Sequence, residues 1–222
     1  MEPGNSEEMD KSSVFEALAK VVKAVANGRR LELIELLAQG EHAVDALARM
    51  SGMGVTTTSA HLQTMKQAGL VKTRRERTTI YYRLAGDDVA ELYLAAKRVG
   101  LQRYPVLRQS LVEYMGEADG SCTPTIDPSA VTSDMTVVDV RPRAEFDAGH
   151  FPGAVSIPLA ELEARFHEIP PGAEVVLYCR GELCRLARDA ARWLCERGVD
   201  AKAMDEGVVE WRASKEVDLG VA

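Results

Sequence analysis

The stretch VDALARMSGMGVTTTSAHLQTMKQAGLVKTRRERTTIYYRL, residues 44–84, decides the fold of the first half of this chain. It begins with two helical patterns, at 44–50 and 55–69, separated by the glycine-containing break SGMG. Two short helices joined by a tight turn of this kind are typical of the helix-turn-helix motif. Residues 70–84 then alternate around a turn near 75–77, which predicts a β-hairpin.

The second helix of this pair divides into an apolar and a polar face. Val55, Leu62, Met65 and Ala68 are expected to pack inward. The polar face carries short hydroxyls, an amide and one cation, which can reach base edges and phosphates in the major groove of DNA. The hairpin is basic, as expected of a wing that contacts phosphates or the minor groove. For the helix alone, an ordinary polar surface is the alternative. The candidate DNA-binding residues are Thr56, Thr57, Thr58, Ser59, His61, Gln63, Lys66, Lys72, Arg74, Arg75 and Arg77.

Further helices are predicted on both sides of this motif. Residues 12–26 carry apolar side chains at the three-and-four spacing of an amphipathic helix, and a second helix covers 29–38. Residues 86–115 predict a long last helix. Pro105 lies inside that pattern and is expected to kink or split the helix.

Residues 12 to about 115 resemble the ArsR/SmtB family of winged-helix repressors, most clearly in ALARMSGMGVTTTSAHLQTMKQAGLVKTRRERTTIYYRL. The resemblance implies a homodimer that pairs through its first and last helices and binds an inverted repeat in double-stranded DNA. Metal-sensing members bind their ion with thiolates near the helix before the recognition helix, or with His and carboxylate pairs on the last helix. Here VDALARM has no cysteine and DDVAELYLAAKRVGLQRY has no histidine, so no metal site is expected. His42 and His61 are expected at the surface or facing DNA.

The composition is that of an ordinary globular protein. The 222 residues, 46% hydrophobic and 27% charged, are enough for two domains of roughly 100 residues each. The sequence has no apolar run near the ~20 residues that cross a bilayer, so no membrane partner is expected. The N-terminal sequence has no basic start followed by an apolar stretch, so we expect a cytoplasmic protein.

Charge and cysteine are divided unevenly along the chain. Residues 1–115 carry 16 Lys and Arg against 14 Asp and Glu, whereas residues 116–222 carry 11 against 20, so the halves have net charges of +2 and −9. All four cysteines lie in the second half: Cys122, Cys179, Cys184 and Cys195. In the cytosol such thiols stay mostly reduced. A cysteine with a role is therefore expected to take part in a reaction rather than in a structural disulfide. Cys122 is expected to be an exposed, idle thiol, with pairing to another cysteine as the alternative.

A segment dense in Gly, Pro, Ser, Thr and Asp, residues 116–126, predicts a linker. Beyond it, strand patterns at 135–142 and 174–179 alternate with helical patterns, which predicts an α/β fold with a mainly parallel sheet. The expected organisation is a mainly α winged helix-turn-helix domain with a β-hairpin wing over 1–115, followed after the linker by an α/β domain over 127–222.

Cys179 stands where the second predicted strand meets the following helix, a place where ligands gather in α/β sheets. Unpaired amides, the helix dipole, Arg180 and Arg185 are expected to lower the pKa of its thiol. The loop formed by Arg180, Gly181, Glu182, Leu183, Cys184 and Arg185 is a candidate anion-binding nest. A thiolate in this setting suits transfer of sulfane sulfur through a Cys–S–S⁻ intermediate.

Two further cysteines have competing interpretations. Cys184 is either a residue at the start of the helix packed on the sheet or a resolving thiol that attacks modified Cys179. The second role needs Cα atoms within roughly 7 Å of each other, so the loop must curl. Cys195 is expected in the core.

Three separated motifs, VDVRPRAEFDAGHFPGAVSIPL, VVLYCRGELC and DEGVVEWRA, resemble the rhodanese domain, in order, over nearly all of residues 127–218. The resemblance implies Cys179 as the sulfur-carrying nucleophile. The spacing of five residues between it and Arg185 also occurs in phosphatase and arsenate-reductase loops, although those usually place His where this sequence has Tyr178. The candidate catalytic residues are Cys179, Arg180, Cys184 and Arg185, and the resemblance implies mainly structural roles for Asp139, Arg141 and His150.

Three functions stay open on the sequence. One is a transcriptional regulator, a repressor by family resemblance, whose DNA affinity follows sulfur loading or oxidation of Cys179. The second is a sulfurtransferase enzyme on a dimeric DNA-binding scaffold, and the third is a cysteine enzyme of the phosphatase or arsenate-reductase kind. The expected partners are duplex DNA with an inverted repeat, a second copy of the chain, and a small sulfur donor such as thiosulfate or polysulfide. No cofactor is expected.

Overall fold

The structure, a computed structural model, describes residues 10–116 and 124–221. Cys122 and most of the expected linker lie outside these residues. Within the described ranges, no helix is long and apolar enough to cross a membrane.

The first half of the chain forms a helical body with a small antiparallel sheet. Its helices are α1 (Lys11–Val25), α2 (Gly28–Leu37), α3 (Val44–Ser51), α4 (Val55–Gln67), α5 (Asp88–Arg103) and α6 (Pro105–Met115), and its strands are β1 (His42–Ala43), β2 (Val71–Glu76) and β3 (Thr79–Leu84). The pair α3 and α4 is the helix-turn-helix expected from the sequence. Gly52, in the left-handed conformation at φ 65°, ends α3 and allows the tight turn.

The hairpin and the divided last helix confirm the sequence patterns. Strands β2 and β3 pair in register from Val71 opposite Leu84 to Glu76 opposite Thr79. The short strand β1, which the sequence analysis did not predict, extends this sheet on the other side of β3. Pro105 splits the last helix, because Tyr104 before it is held in extended geometry and α6 begins at the proline.

The second half is an α/β unit. Its strands are β4 (Thr125–Ile126), β5 (Thr136–Asp139), β6 (Val155–Ser156), β7 (Val175–Tyr178) and β8 (Ala201–Met204), and its helices are α7 (Arg143–Ala148), α8 (Leu162–Arg165), α9 (Leu186–Cys195) and α10 (Val208–Ser214). The strands form one parallel sheet in the order β4-β8-β7-β5-β6. Between β6 and β7, the helical pattern forms α8 flanked by two 3₁₀ turns, and β4 lies at the end of the segment expected to be linker.

Alternating side chains of the central strands fill the two faces of this sheet. On β7, Val175 and Leu177 point to the side covered by α9, whereas Val176 and Tyr178 point to the side covered by α10 with its Trp211. This is the period of two expected of a strand buried on both faces.

The two halves share a packed boundary. Val209 of α10 belongs to the same buried apolar cluster as the helices of the first half, and Leu183 packs against that cluster. Lys97 of α5 binds Glu182 at 2.8 Å and Glu210 at 2.6 Å. The loop that carries the cysteines is therefore part of the contact between the halves.

A buried ion pair fixes the start of the second half. Arg141 and Asp139 are both fully buried, with an Nη2 to Oδ2 distance of 2.6 Å, and Tyr178 donates its hydroxyl to the same oxygen at 2.6 Å. The Arg141 side chain also donates to the carbonyl of Gly149 at 2.7 Å. All these groups lie at the carboxyl ends of β5 and β7, beneath the cysteine loop.

Replacing Asp139 with alanine should therefore destabilise the chain strongly, because it leaves the Arg141 charge buried without its carboxylate. We expect Asp139→Ala to lower the free energy of unfolding by about 3–5 kcal/mol in urea titrations. The control is Asp147→Ala, whose partner Arg143 is exposed, and which should cost less than about 1 kcal/mol. Equal losses in the two variants would show that the buried pair is not what stabilises this region.

Candidate functional site

The polar face of α4 presents most of the predicted DNA-binding side chains to solvent. Thr56, Thr57 and Lys66 are exposed, and Ser59 and His61 are partly exposed. Gln63 is also exposed, and its amide donates to the hydroxyl of Tyr82 on β3 at 2.9 Å, which ties the helix to the hairpin.

Two residues of α4 were predicted on the wrong face. Thr58 is fully buried and its hydroxyl donates to the carbonyl of Gly54 at 3.0 Å, so it does not belong to the exposed face. Val55, expected to pack inward, is 55% exposed because it lies in the first turn, ahead of the packed part of the helix.

All four predicted cations of the hairpin are exposed, but Arg74 is held by acidic neighbours. Lys72, Arg75 and Arg77 are exposed. The guanidinium of Arg74 is bound instead by Glu41 and Glu76, each at 2.8 Å, and lies 4.7 Å from the ring centroid of Tyr81. Arg74 is thus held along the hairpin by its own partners, and the other three cations form the basic surface of the wing.

The two cysteines of the predicted loop lie close together. Cys179 follows β7 directly and is buried, whereas Cys184 is only partly buried. The Cys179 thiol lies 3.1 Å from the carbonyl oxygen of Cys184, so the loop does curl. The two side chains also interact, and each alters the pKa of the other.

The distribution of charge within this pair is the reverse of the expected one. Burial and the neighbouring Cys184 sulfur raise the pKa of Cys179, although the amides of Gly181 and Ala187 lower it in part. The hydrogen bond from Cys179, with the amides of Arg180 and Leu186, lowers the pKa of Cys184 to about 7. The thiolate therefore forms on Cys184, because these donors favour the charged form there, whereas burial disfavours it on Cys179. The prediction of an acidic Cys179 is wrong.

Neither arginine of the loop serves the sulfurs in the way the sequence suggested. The Arg180 guanidinium turns to Glu145 at 2.7 Å and contacts the sulfur of Met50, on α3, at 3.6 Å. The Arg185 guanidinium lies 3.6 Å from Asp189 and 5.6 Å from the ring centroid of Tyr114, on α6. Both cations are engaged by other partners, which weakens the phosphatase and arsenate-reductase interpretation, because those loops need a free cation for their oxyanion.

The third rhodanese-like motif supports the loop from below. A Cβ atom on Gly207 would lie 2.4 Å from the carbonyl oxygen of Cys179 and 2.6 Å from the amide of Gly181. A Cβ atom on Gly181 would lie 2.6 Å from Val209. Two glycines are thus required for close backbone approach, and they seat the loop on the N-terminus of α10.

Four residues of the first half lie around the loop, and the sequence analysis did not identify them. Gln39 is fully buried, donates to the carbonyl of Arg180 at 3.2 Å, and accepts from Arg141 at 2.9 Å. The others are Glu35, Lys97 and Tyr114. No local pattern could have identified them, because their partners lie far away along the chain.

The structure also places the remaining residues that the sequence analysis singled out. His42 is partly buried rather than at the free surface, and burial lowers its pKa. Cys195 is exposed rather than in the core, and its thiol donates to the carbonyl of Ala201 at 3.3 Å. His150 stacks on Phe146 with ring centroids 3.9 Å apart, which is a packing role. In the ranges that the structure describes, no three His, Cys, Asp or Glu side chains converge on a possible metal position.

Comparison with known proteins finds relatives for both halves. Residues 27–73 match the family described as bacterial regulatory protein, arsR family, and residues 128–214 match the rhodanese-like domain. The HTH-type transcriptional regulator Rv0324 of Mycobacterium tuberculosis is 42% identical over 212 residues, 95% of this chain and 94% of that protein. The nodulation protein NolR of Rhizobium meliloti is 32% identical over 107 residues, 46% of this chain and 88% of that protein.

Solved structures match the first half of the chain. One of them is the solution structure of a homodimeric winged helix-turn-helix DNA-binding domain, Mb0332 from Mycobacterium bovis. It is 47% identical to this chain and covers 46% of it and 94% of its own length, with a TM-score of 0.40.

Alkylation should distinguish the two cysteines of the loop. At neutral pH we expect iodoacetamide to modify Cys184 first, with a midpoint near the pKa of about 7, and Cys179 only slowly, because burial keeps it protonated. Cys179→Ala should move the midpoint for Cys184 upward, since it removes the hydrogen bond that lowers the pKa. Mass spectrometry of the two positions across pH measures both, with exposed Cys195 as the reagent control. Faster labelling of Cys179 than of Cys184 would contradict this assignment.

Proposed function

The chain belongs to the ArsR family of HTH-type transcriptional regulators and carries a rhodanese-like domain, and from this premise we propose that it is a DNA-binding repressor controlled by sulfur chemistry at Cys179 and Cys184. In this proposal residues 1–115 are the DNA-binding and dimerisation domain and residues 127–222 the sulfur-reactive domain, with 116–126 between them. A regulator of this kind acts on chromosomal DNA in the cytoplasm.

The observation that carries the proposal is the contact between the cysteine loop and the helix-turn-helix body. Gln39, at the end of α2, binds the carbonyl of Arg180, the residue next to Cys179. The Arg180 side chain in turn reaches Met50 in the last turn of α3. A change in the loop therefore acts directly on α2 and α3, the two helices that support α4.

Oxidation or sulfur loading must change this loop. The Cys179 thiol donates to the carbonyl of Cys184, and a disulfide, or a persulfide on Cys179, removes the proton that this contact needs. The loop has little room to adapt, because Gly207 and Val209 lie directly beneath it. We therefore expect modification to shift Arg180 away from α3 and to weaken DNA binding.

DNA recognition in this proposal uses α4 and the wing. The exposed residues Thr56, Thr57, Gln63 and Lys66 would enter the major groove, where such groups contact base edges and phosphates. Lys72, Arg75 and Arg77 would contact phosphates, so affinity should fall as salt increases. An inverted-repeat site follows from a two-fold symmetric dimer.

A homodimer is supported by apolar faces that the single chain leaves in solvent. On α1, Phe15 is 60% and Leu18 is 58% exposed. Val99 on α5, Val106 on α6 and Tyr104 between these helices are exposed to a similar degree. An isolated 15-residue helix is marginal in water, and a helix with an unburied apolar face needs a partner.

Sulfurtransferase activity is the second candidate, and the pKa of Cys184, about 7, favours it. A thiolate at neutral pH can attack sulfane sulfur and form a persulfide that passes to another nucleophile. Conversion of thiosulfate and cyanide to thiocyanate tests this activity, and turnover that survives loss of both Cys179 and Cys184 would exclude these residues as its source.

A binding titration tests the regulatory proposal. Fluorescence anisotropy with a DNA fragment from upstream of the gene should show affinity at least about tenfold weaker after polysulfide treatment, within the usual range of allosteric coupling. Cys184→Ser should bind DNA but not respond, whereas Cys195→Ser should respond like the unmodified chain. If polysulfide modifies the pair, as mass spectrometry would detect, and the affinity does not change, the sensing role is excluded.

A charge placed on the apolar face of α1 should abolish the dimer. Leu18→Glu puts a carboxylate among exposed apolar side chains that would be buried between two copies, so we expect a monomer by size-exclusion chromatography with light scattering. Lys20→Glu, on the same helix but outside the apolar set, is the matched control and should stay dimeric. A dimeric Leu18→Glu variant would place the interface elsewhere.

A further inference from the structure

A cavity of about 450 Å³ lies between the helices of the first half and the cysteine loop. Its walls come from α2, α5 and α6, with Leu183 of the loop closing one side. The lining is mostly apolar and includes Leu31, Leu101, Leu107 and Leu111. This cavity is large enough for a small organic molecule.

The cavity lies beside the thiolate of the pair. Leu183, in its wall, immediately precedes Cys184. Glu35 and Tyr114, also in the wall, both experience the charge of Cys184, which raises the pKa of each in addition to the larger effect of burial. The neighbouring Arg185 lies over the ring of Tyr114 at 5.6 Å. Cys184 is therefore close to the cavity, directly after the wall residue Leu183.

Glu35 places an acid at this position. Its Oε1 atom is buried and has no hydrogen-bond partner among the described residues. Burial, with smaller contributions from the Cys184 thiolate and Glu210, raises its pKa to about 8, so the carboxyl group is neutral at pH 7. The charged and titratable groups around it are Cys184 and Arg180 from the loop, Tyr93 and Lys97 from α5, Glu210 from α10 and Tyr114 from α6.

We propose that this cavity binds the sulfur donor, that the donor is an uncharged organic persulfide, R–S–S–H, with an apolar R group, and that Glu35 gives a proton to the departing thiol. The proposal rests on the proposed sulfur chemistry of the cysteine pair. The apolar walls suit the R group. The one lysine in the lining, Lys97, is already bound by Glu182 and Glu210, so a dianion such as thiosulfate finds no free cation in the lining.

The first step transfers the outer sulfur of the donor. The Cys184 thiolate attacks that sulfur, a bond forms between them, and the S–S bond of the donor breaks. The leaving R–S⁻ takes the proton of Glu35 and departs as R–S–H, while Cys184 becomes Cys184–S–S–H. General acid assistance of this kind avoids releasing a thiolate into an apolar cavity.

The second step joins the two cysteines in a disulfide. The Cys179 thiol attacks the inner sulfur of Cys184–S–S–H, the Cys179–Cys184 disulfide forms, and HS⁻ leaves with the proton of Cys179 as H₂S. The two thiols are oxidised by two electrons, and the sulfane sulfur that came from the donor is reduced to sulfide. No further oxidant is required.

Blocking the cavity tests where the donor binds. Ser110 is an exposed residue of α6 that lines the cavity, so Ser110→Trp should fill it without disturbing the core. Gln109→Trp, at the adjacent exposed position outside the lining, is the matched control. Benzyl persulfide and thiosulfate are the probes, and mass spectrometry of Cys179 and Cys184 follows the rate of modification.

We expect the unmodified chain and Gln109→Trp to react at least roughly tenfold faster with benzyl persulfide than with thiosulfate, a difference of about 1.4 kcal/mol. Ser110→Trp should lose this preference. Equal rates for Ser110→Trp and Gln109→Trp with benzyl persulfide would overturn the cavity as donor site while leaving the chemistry of the pair intact. Absence of modification of the unmodified chain by either donor would instead overturn the proposed function itself.

The pH profile tests the role of Glu35. The rate should rise as Cys184 ionises near its pKa of about 7 and fall as Glu35 loses its proton near its pKa of about 8, which gives a narrow maximum. Glu35→Gln keeps the shape and removes the proton, so the rate should fall by roughly a hundredfold at the maximum and the upper limb should disappear. An unchanged upper limb in Glu35→Gln would overturn the assignment, because a purely structural glutamate leaves the profile unaltered.

Discussion

The side-chain amide of Gln39 is the interaction on which the arrangement of the two halves depends. It is fully buried, donates to the carbonyls of Glu35 and Arg180, and accepts from Arg141. Its partners thus belong to its own helix, to the cysteine loop and to the buried ion pair beneath that loop. Because an unsatisfied buried amide is costly, these three elements are held in one geometry as long as the halves stay together.

This geometry gives the cysteine loop two roles at once. The second half supports the loop, because Gly207 allows the backbone at the start of α10 to approach the carbonyl of Cys179. From the first half it takes its chemical surroundings, since Glu35 and Tyr114 face Cys184. A loop supported on one side and enclosed on the other cannot change its covalent state without effect on the helices that enclose it. That is the physical basis for expecting sulfur chemistry and DNA binding to be linked.

The sequence was sufficient for the elements and for the identity of the loop, because these depend on local patterns. The helix-turn-helix, the hairpin, the break at Pro105 and the strand before Cys179 all follow from periodicity and turn residues. The burial of Thr58 could also have been predicted, because Thr58 precedes Leu62 by four residues and Met65 by seven, which places all three on one helix face. The contacts of Arg180 could not be predicted, because Glu145 and Met50 reach it only in the folded chain. The acidity of the cysteines could not be predicted either, because it depends on burial and on how the loop curls.

Burying Glu35 costs free energy of folding, so the presence of a carboxylic acid at this position needs an explanation. In the unfolded chain Glu35 ionises near its ordinary pKa of 4.5, whereas in the folded chain the pKa is about 8. Folding at pH 7 must therefore take up a proton, which costs about 3 kcal/mol at 1.36 kcal/mol per pH unit, and this cost disappears below the unfolded pKa. Leucine would fill the same space without the penalty, and the surrounding cavity is already apolar. Glu35 lowers stability at neutral pH and lies beside a thiolate. The simplest explanation for keeping such a group is that its proton is used in the reaction.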